Sequence, residues 1–559
     1  MRELNVSSII ARLLVNRQVE SIEEARFFLA ADLSCLHDPF LMKGMADAVD
    51  RIVKAILDGE SITLFCDYDV DGVTSASFLT HFFRDLGIKV GHYLPERMVE
   101  GYGLNEDAVR KIKSGGATLM ITADCGITSV QQVRLAHELG LDVIVTDHHQ
   151  VGPEGLPPAL AVLNPHQPDC EYPFKFLSGV GIVFKLAGAV RSVLHRKGTP
   201  RENLPNLKRH LDLFALGTIA DVAPLTGENH VLTGHGLKEM TVSSKPGLVA
   251  LKEIAGLNGT VTARSVGFTL GPRLNAAGRL GRADAGFHLL TSTDLKEAMR
   301  LARSLDEINH ERREVQNQSQ EEAEYLMGRE VDLDRDRVIV LASELFHSGV
   351  IGIVASRLVE RYYRPVVLIA LKDGIGKGSA RSIPAFNLFK AFSECSQHFT
   401  QFGGHAYAAG LTIKQDNVDD FHVSINAIGH RILKEEDLVP EIAIDAELDP
   451  GSIDRDLYRE IKKLEPFGAS NATPVFLASG VKIQNLRTMG KEDTHVRFRA
   501  VKGNASIGGV GFNMAEHFGS IDTRTRKLDL VYELQINDWN GQEKLEMKLL
   551  DLRLSETTA

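Results

Sequence analysis

Phe65-Cys66-Asp67-Tyr68-Asp69-Val70-Asp71-Gly72-Val73-Thr74-Ser75-Ala76 is the stretch on which the reading of this chain turns. An apolar run from Ile62 to Phe65 feeds carboxylates at every second position, then a glycine, then small residues that read as the first turn of a helix. Alternation after a buried strand aims Asp67, Asp69 and Asp71 close together at a strand end, where like charges repel unless a cation sits between them. Hard divalent cations are the usual answer to clustered oxygen ligands. The competing reading is an acidic surface turn, so the rest of the chain has to decide.

Around this stretch strand-like and helix-like patterns alternate. Strands are expected at 61–67, 89–94, 118–124, 141–147 and 159–163, and helices at 73–86, 106–113 and 128–140. Apolar runs of this length between amphipathic helices imply a parallel sheet covered on both faces. Three strands end in acid, at Asp67, Asp124 and Asp147-His148-His149. Ligands bind at the carboxyl ends of such strands. One terminal Asp is readily a helix cap; three, one of them followed by two histidines, point to a metal site. Farther on, an apolar helix at 211–220 runs into Asp221. An acid there opposes the helix dipole, which a nearby metal would compensate; a solvated loop aspartate is the alternative. The glycines of a buried helix at 179–194 read as packing residues, and Cys66 and Cys125 as small core residues.

Residues up to 45 show helical spacing at 23–29 and no motif. A charged helix at 294–327 would span about 50 Å and bridge two domains, with two shorter helices as the alternative. A second α/β unit follows, with strands at 338–341, 365–371 and 411–413 and helices at 350–360 and 386–399. Two segments rich in small residues, 374–381 and 402–410, read as loops whose backbone N–H groups and Arg, Ser and His side chains suit an anion. From 441 the pattern is all-β, with strands at 474–476, 496–500, 506–511, 529–536 and 544–552 and an Asn540-Gly541 hairpin turn. This suggests an OB-like barrel, a frequent binder of single-stranded nucleic acid. Trp539 stacks on a base there or is a half-exposed turn residue. The expected fold class is therefore α/β. An N-terminal helical segment (1–45), a catalytic domain (46–292), a connecting helix (293–330), a smaller α/β domain (331–440) and a barrel (441–559) follow one another.

Composition agrees with several domains: 559 residues exceed one core, with 43% hydrophobic and 25% charged residues. A net charge of −11 argues against a protein that coats nucleic acid. Yet Arg264, Arg273, Arg279 and Arg282 fall in an acid-free segment, and Lys377, Arg381, Lys390 and Lys414 face only Glu394 across theirs. Such a chain grips phosphates in one place. No apolar run approaches the ~20 residues of a membrane span. The N-terminus lacks the order of a secretory signal. Five scattered cysteines fit a reducing cytoplasm.

If Asp69, Asp71, Asp124, His148 and Asp221 converge, carboxylate and imidazole ligation without thiolate favours Mn²⁺ or Mg²⁺ over structural zinc. The number of acids suits two ions ~3.5–4 Å apart, which clamp the attacking and leaving oxygens of a phosphoester. Asp124 suits a bridging role, and His149 a hydrogen bond to phosphate or leaving group. The reaction class is phosphoester hydrolysis.

The blocks Asp67-Tyr68-Asp69-Val70-Asp71-Gly72, Asp124-Cys125-Gly126-Ile127, Asp147-His148-His149, Gly217-Thr218-Ile219-Ala220-Asp221 and Gly403-Gly404-His405-Ala406 resemble, in this order, the DHH phosphoesterase family with its C-terminal DHHA1 domain. Pro272-Arg273-Leu274-Asn275-Ala276-Ala277-Gly278-Arg279, the long helix and the terminal β-domain place the resemblance in the branch that digests single-stranded DNA from 5′ to 3′ into mononucleotides, in repair and recombination. It implies that Asp69 and Asp124 hold one metal and Asp71, Asp124, His148 and Asp221 the other. Asp67, close by, and His149, on the scissile phosphate, are the catalytic side chains. Asn275, Arg279, Ser379, Arg381, Gly403, Gly404 and His405 would line the DNA path, in a channel between the two α/β domains too narrow for a duplex. A helicase and a single-strand-binding protein are the implied partners of a monomeric cytoplasmic enzyme. The rivals are a catalytically dead DNA-binding scaffold, disfavoured by the intact acids, and a phosphodiesterase for oligoribonucleotides or cyclic dinucleotides, disfavoured by the barrel.

Overall fold

The computed structural model of the chain describes residues 3–95, 103–279, 284–519, 521, 526–539 and 542–555. Strands β1 (Ile62–Cys66), β2 (Gly91–Tyr93), β3 (Leu119–Ala123), β4 (Asp142–Thr146) and β5 (Ala161–Leu163) form a parallel sheet in the order β2-β1-β3-β4-β5. Alternation divides their side chains between two cores. Leu64, Cys66, Ile121, Ala123 and Ile144 pack against helices that include Val70–Asp85 and Gly179–Arg196. Phe65, Met120, Val143 and Val145 pack on the other face with Glu106–Ser114 and Val130–Glu138. A sheet buried on both sides leaves its strand ends as the place where polar groups collect.

Beyond it, Leu295–Glu330 is one helix, not two, its start capped by Asp294 through the N–H groups of Lys296 and Glu297. The second α/β unit has β6 (Ile339–Ser343), β7 (Val366–Lys372), β8 (Ile375–Arg381), β9 (Phe399–Gly404) and β10 (Ala408–Lys414), in the order β6-β7-β8-β10-β9. Here two expectations are corrected. The segments 374–381 and 402–410 are largely strands, so their backbone N–H groups serve the ladder and do not form anion nests. Gly378 is small because a Cβ there would lie 2.7 Å from Leu411 Cγ on the neighbouring strand. The helix expected at 386–399 is only Leu388–Glu394. Phe399 opens β9, its ring 5.3 Å from Phe392 and 5.0 Å from Phe421.

The C-terminal strands β11 (Ala446–Glu447), β12 (Phe476–Met489), β13 (His495–Lys502), β14 (Ala505–Gly511), β15 (Leu528–Trp539) and β16 (Gln542–Leu554) include a closed barrel, β12-β13-β14-β16-β15, sealed by β12–β15 pairing. Only the start of β12 is legible in the sequence, because register shifts at 478–481 and 484–487 break its alternation. The Asn540-Gly541 turn and the Trp539 side chain lie outside the described residues. The helices Ser8–Asn16 and Ile22–Ala30 belong to this barrel: Ile10, Leu13, Leu14, Ala25 and Phe28 join its core. Arg17 Nε donates to Asn471 (2.7 Å), while His235 of the catalytic domain bonds Ala31 (2.8 Å).

Inside the catalytic domain, Lys185 on Gly179–Arg196 donates to Glu228 Oε1 (2.6 Å) on Gly227–Val242, and Glu228 also accepts from Tyr172 and the His37 N–H. Lys185 is 3% and Glu228 0% exposed. Breaking such a pair strands a buried charge, so Glu228→Ala is expected to cost about 3–5 kcal/mol. Urea unfolding of the catalytic domain would read this as a lowered midpoint.

Candidate metal centre

Each acid of the opening stretch is placed by a local rule. Asp67 follows β1 directly, and its Oδ1 accepts the Tyr68 N–H at 2.7 Å. Asp69 caps the Val70–Asp85 helix, accepting the Gly72 N–H at 3.0 Å. Asp71, in that helix's first turn, is 1% exposed. Its carboxylate accepts the N–H groups of Gly179 (2.6 Å) and Val180 (2.9 Å) at the start of the Gly179–Arg196 helix. A helix N-terminus is a natural anion seat. Gly179, read with the helix's other glycines as a packing residue, therefore also helps hold an anion, which is the protein's own carboxylate. Gly179 is required for a second reason: a Cβ there would sit 2.6 Å from Asp124 Oδ1.

Asp124 leaves β3 with φ +65° and His148 follows β4, so parallel pairing of the two strands sets them side by side. His148 Nε2 lies 3.1 Å from Asp124, 3.9 Å from Asp221 and 4.0 Å from Asp71. Asp221 ends the Leu211–Ala220 helix, as the sequence suggested, and turns inward. Its neighbour Val222 has φ +61° while 70% exposed, a conformation that costs a β-branched residue about 1–3 kcal/mol. No sequence signal marks that strain.

The carboxyls crowd one another. Burial, then the charge of Asp69, raises Asp71 to about 7 despite its two N–H donors. Burial, then Asp71 and Asp69, raises Asp221 to about 8. Asp124 is pushed well up by burial and then by Asp71 and the other acids. His148 falls to about 4, chiefly through burial and next through His149. His149 behaves oppositely: burial lowers it, but the hydrogen bond and charge of Asp147 outweigh that and raise it to about 9. Asp147 is the residue that the expected site set omitted, although it is the third strand-terminal acid. Its Oδ1 accepts the His149 N–H (3.0 Å) and pairs with His149 Nδ1 (2.7 Å), and its Oδ2 accepts the Ile127 N–H (2.8 Å).

The side chains fit a divalent cation. Asp124 Oδ1 and His148 Nε2 are buried 3.1 Å apart and, among the described residues, neither makes a well-formed hydrogen bond, the mark of atoms meant for something else. Among the described residues, ligand atoms fall within 4.8 Å of one another in three overlapping sets: Asp67, Asp69 and Asp124; Asp71, His148 and Asp221; Asp124, His148 and His149. Asp124 and His148 are shared. The donors are oxygens and imidazole, which suits a hard or intermediate ion. The residues of the second unit that were expected to line a DNA path also meet: Gly410 on β10 pairs with Ser379 on one side and Gly403 on the other, while Arg381 pairs with Ala408 and Gly404 with Ala409. His405 is exposed just beyond β9. Asn275 lines a large cleft; the Arg279 side chain lies outside the described residues.

Without metal, the raised carboxyls of Asp71 and Asp221 contribute stability that is complete below the unfolded value near 4 and is lost as pH rises through about 7 and 8. Asp124→Asn relieves part of the repulsion. At pH 8 in chelator it is expected to melt a few degrees above wild type, while Mn²⁺ raises the wild-type Tm and leaves the variant's unchanged. Thermal melts with and without Mn²⁺ check both.

The chain matches family models for the DHH family, N-terminal domain, over residues 61–218, the DHHA1 domain over 335–428 and the RecJ OB domain over 444–551. It is 41% identical to the single-stranded-DNA-specific exonuclease RecJ of Bacillus subtilis, covering 99% of this chain and 69% of that protein. It is also similar to two crystal structures of RecJ from Thermus thermophilus. The Mn²⁺ complex gives a TM-score of 0.84 at 31% identity, covering all of this chain and 77% of the other. The Mg²⁺ complex gives 0.78 at 30%, with 100% and 76% covered. With its buried acids and histidines gathered at the sheet's carboxyl ends and all three domains matched in order, the chain belongs to the RecJ family of single-stranded-DNA-specific exonucleases, metal-dependent nucleases that hydrolyse phosphodiester bonds.

Proposed function

We propose that this chain degrades single-stranded DNA from the 5′ end into 5′-mononucleotides with two divalent ions. Asp69 and Asp124, with Asp67 beside them, hold one; Asp71, Asp124, His148 and Asp221 hold the other. The observation that carries this reading is the sharing of Asp124 and His148 between overlapping ligand sets. Mn²⁺ or Mg²⁺ is the expected metal, from the donor set and from the ions in the Thermus thermophilus structures. When bound, the ions supply Lewis acidity at the phosphate oxygens and lower the pKa of water. His149, kept protonated by Asp147, donates a hydrogen bond to the scissile phosphate or leaving group.

A cleft of about 1630 Å³ opens beside Asp221. Its walls come from the catalytic domain and the barrel, among them Val222, Arg264, Phe268, Lys462, Lys463 and Phe512. Phe268 is 74% exposed with Arg264 5.5 Å over its ring, a surface on which a base can stack. Asn275 contacts the strand on this side, and Arg279 is a further expected DNA contact. Ser379, Arg381, Gly403, Gly404 and His405 contact it from the second unit. A Cβ on Gly403 would meet nothing within 4 Å, which leaves room for a phosphate backbone. One chain supplies the whole ligand set, in keeping with a monomer. A substrate confined to single strands calls for a duplex-opening helicase and shares its DNA with single-strand-binding protein. The proposed location is the cytoplasm, in keeping with the unpaired cysteines.

Labelled strands test the polarity. A 5′-labelled oligonucleotide should release its label at once and a 3′-labelled one last, with a blunt duplex resistant. Asp124→Ala should lose more than about 100-fold in rate. Early 3′ release, or an active Asp124→Ala, would sink the reading. Among the described residues Arg381 donates only to Ser379 and the Ala380 carbonyl, and burial lowers its pKa. Arg381→Ala should therefore weaken binding and flatten its salt dependence by about 0.7 in the log–log slope, one phosphate contact on a single strand.

A further inference from the structure

The Leu295–Glu330 helix is apolar on its inner face at both ends. Ala298, Leu301, Ala302 and Leu305 enter the core of the catalytic domain, and Ala323, Leu326 and Met327 that of the second unit. Between them the buried stripe turns polar at Asn309, Arg312, Gln316 and Ser319, which are 0%, 8%, 2% and 1% exposed. The Arg312 guanidinium donates to Gln316 Oε1 (2.6 Å) and Asn309 Oδ1 (2.7 Å), both neutral amides. Among the described residues no carboxylate pairs with it. The acid one and a half turns before it, Asp306, is taken by Arg273 at 2.9 Å. The charges that act on Arg312 are Arg313 and Arg357, of its own sign. Asn309 Nδ2 and Ser319 Oγ are buried without a hydrogen-bond partner among the described residues. A buried cation faced by amides, like charges and idle donors lacks an anion.

We propose that this stripe seats a backbone phosphate of the substrate strand, with Arg312 as its anchor. The inference rests on the reading of the chain as a single-strand nuclease. Its neighbours lead the same way. The helix packs on Gly271–Arg279, which carries Asn275, and on Ile351–Tyr362. A Cβ on Gly352 of that second helix would lie 2.9 Å from Ser379 Oγ and 3.0 Å from an Arg381 nitrogen. The stripe thus joins the two groups of residues assigned to DNA. The fork of Arg312, held flat by the amides on either side, suits two phosphate oxygens.

The test uses the full chain in the cleavage-silenced Asp124→Ala background with Mg²⁺, and binding of a fluorescent 20-mer of thymidylate across a salt series. Arg312→Met should reduce the log–log salt slope by about 0.7 and leave the Tm equal or higher, because it deletes an unmatched buried charge. Asn309→Asp, which supplies an internal anion, should raise the Tm and weaken DNA binding about fivefold or more. An unchanged slope in Arg312→Met overturns the proposal, as does a slope that falls only together with the Tm, the signature of a purely structural arginine. Binding of 5′-dAMP that depends on Arg312 while the 20-mer slope stays the same would make this a mononucleotide seat and also overturn it. A protein with intact Asp124 that leaves single strands undigested refutes the nuclease reading instead, so the two failures are separable.

Discussion

Carboxylates that must sit together, in a place where water is scarce, set the terms for the rest of this molecule. Asp67, Asp71 and Asp124 are buried, and each raises the cost of charging the others. The fold offsets this repulsion before any ion binds. Asp71 takes two N–H groups from the Gly179–Arg196 helix, Asp69 caps its own helix, and Asp147 is drawn away by His149 and Ile127. What stays uncompensated is concentrated on Asp124 Oδ1 and His148 Nε2. The site is therefore held open for cations by groups that could not otherwise tolerate one another.

This arrangement depends on elements far apart in the chain. The helix that anchors Asp71 is fastened through Lys185 to Glu228, on the element that follows Asp221. The N-terminal helices share the barrel's core, so the two ends of the sequence fold as one body beside the catalytic domain. That body supplies the far wall of the cleft next to Asp221. A barrel without those helices would expose Ile10, Leu13 and Phe28, all now buried. Their role is thus structural, in keeping with a segment that carries no chemical motif.

Much of the site was legible because chemistry that needs charge at a strand end has few ways to be written. The acids at 67, 69, 71, 124 and 221 and the histidines at 148 and 149 stand out against apolar strands, and the structure gathers them. Asp147 was visible as a strand-terminal acid but carried no assigned role, since sequence cannot tell an acid that faces a metal from one that orients a histidine. Gly378 and its neighbours misled for a related reason: glycine is used both for anion loops and for close packing between strands, and only the position of Leu411 shows which applies. The start of β12 was found and its remainder missed, because bulges erase the period of two on which strand reading relies.

By itself the sequence determined the parallel sheet, the bridging helix, the barrel and the acids and histidines that gather at the strand ends, because these follow from local periodicity and from residue types that have no cheaper explanation. Tertiary structure alone decided which carboxylate is diverted to His149 and where the N-terminal helices lie. It also decided that a cleft opens between catalytic domain and barrel, and that no carboxylate among the described residues pairs with Arg312. Those outcomes depend on distances between groups tens to hundreds of residues apart, and no pattern within a window of the chain encodes them.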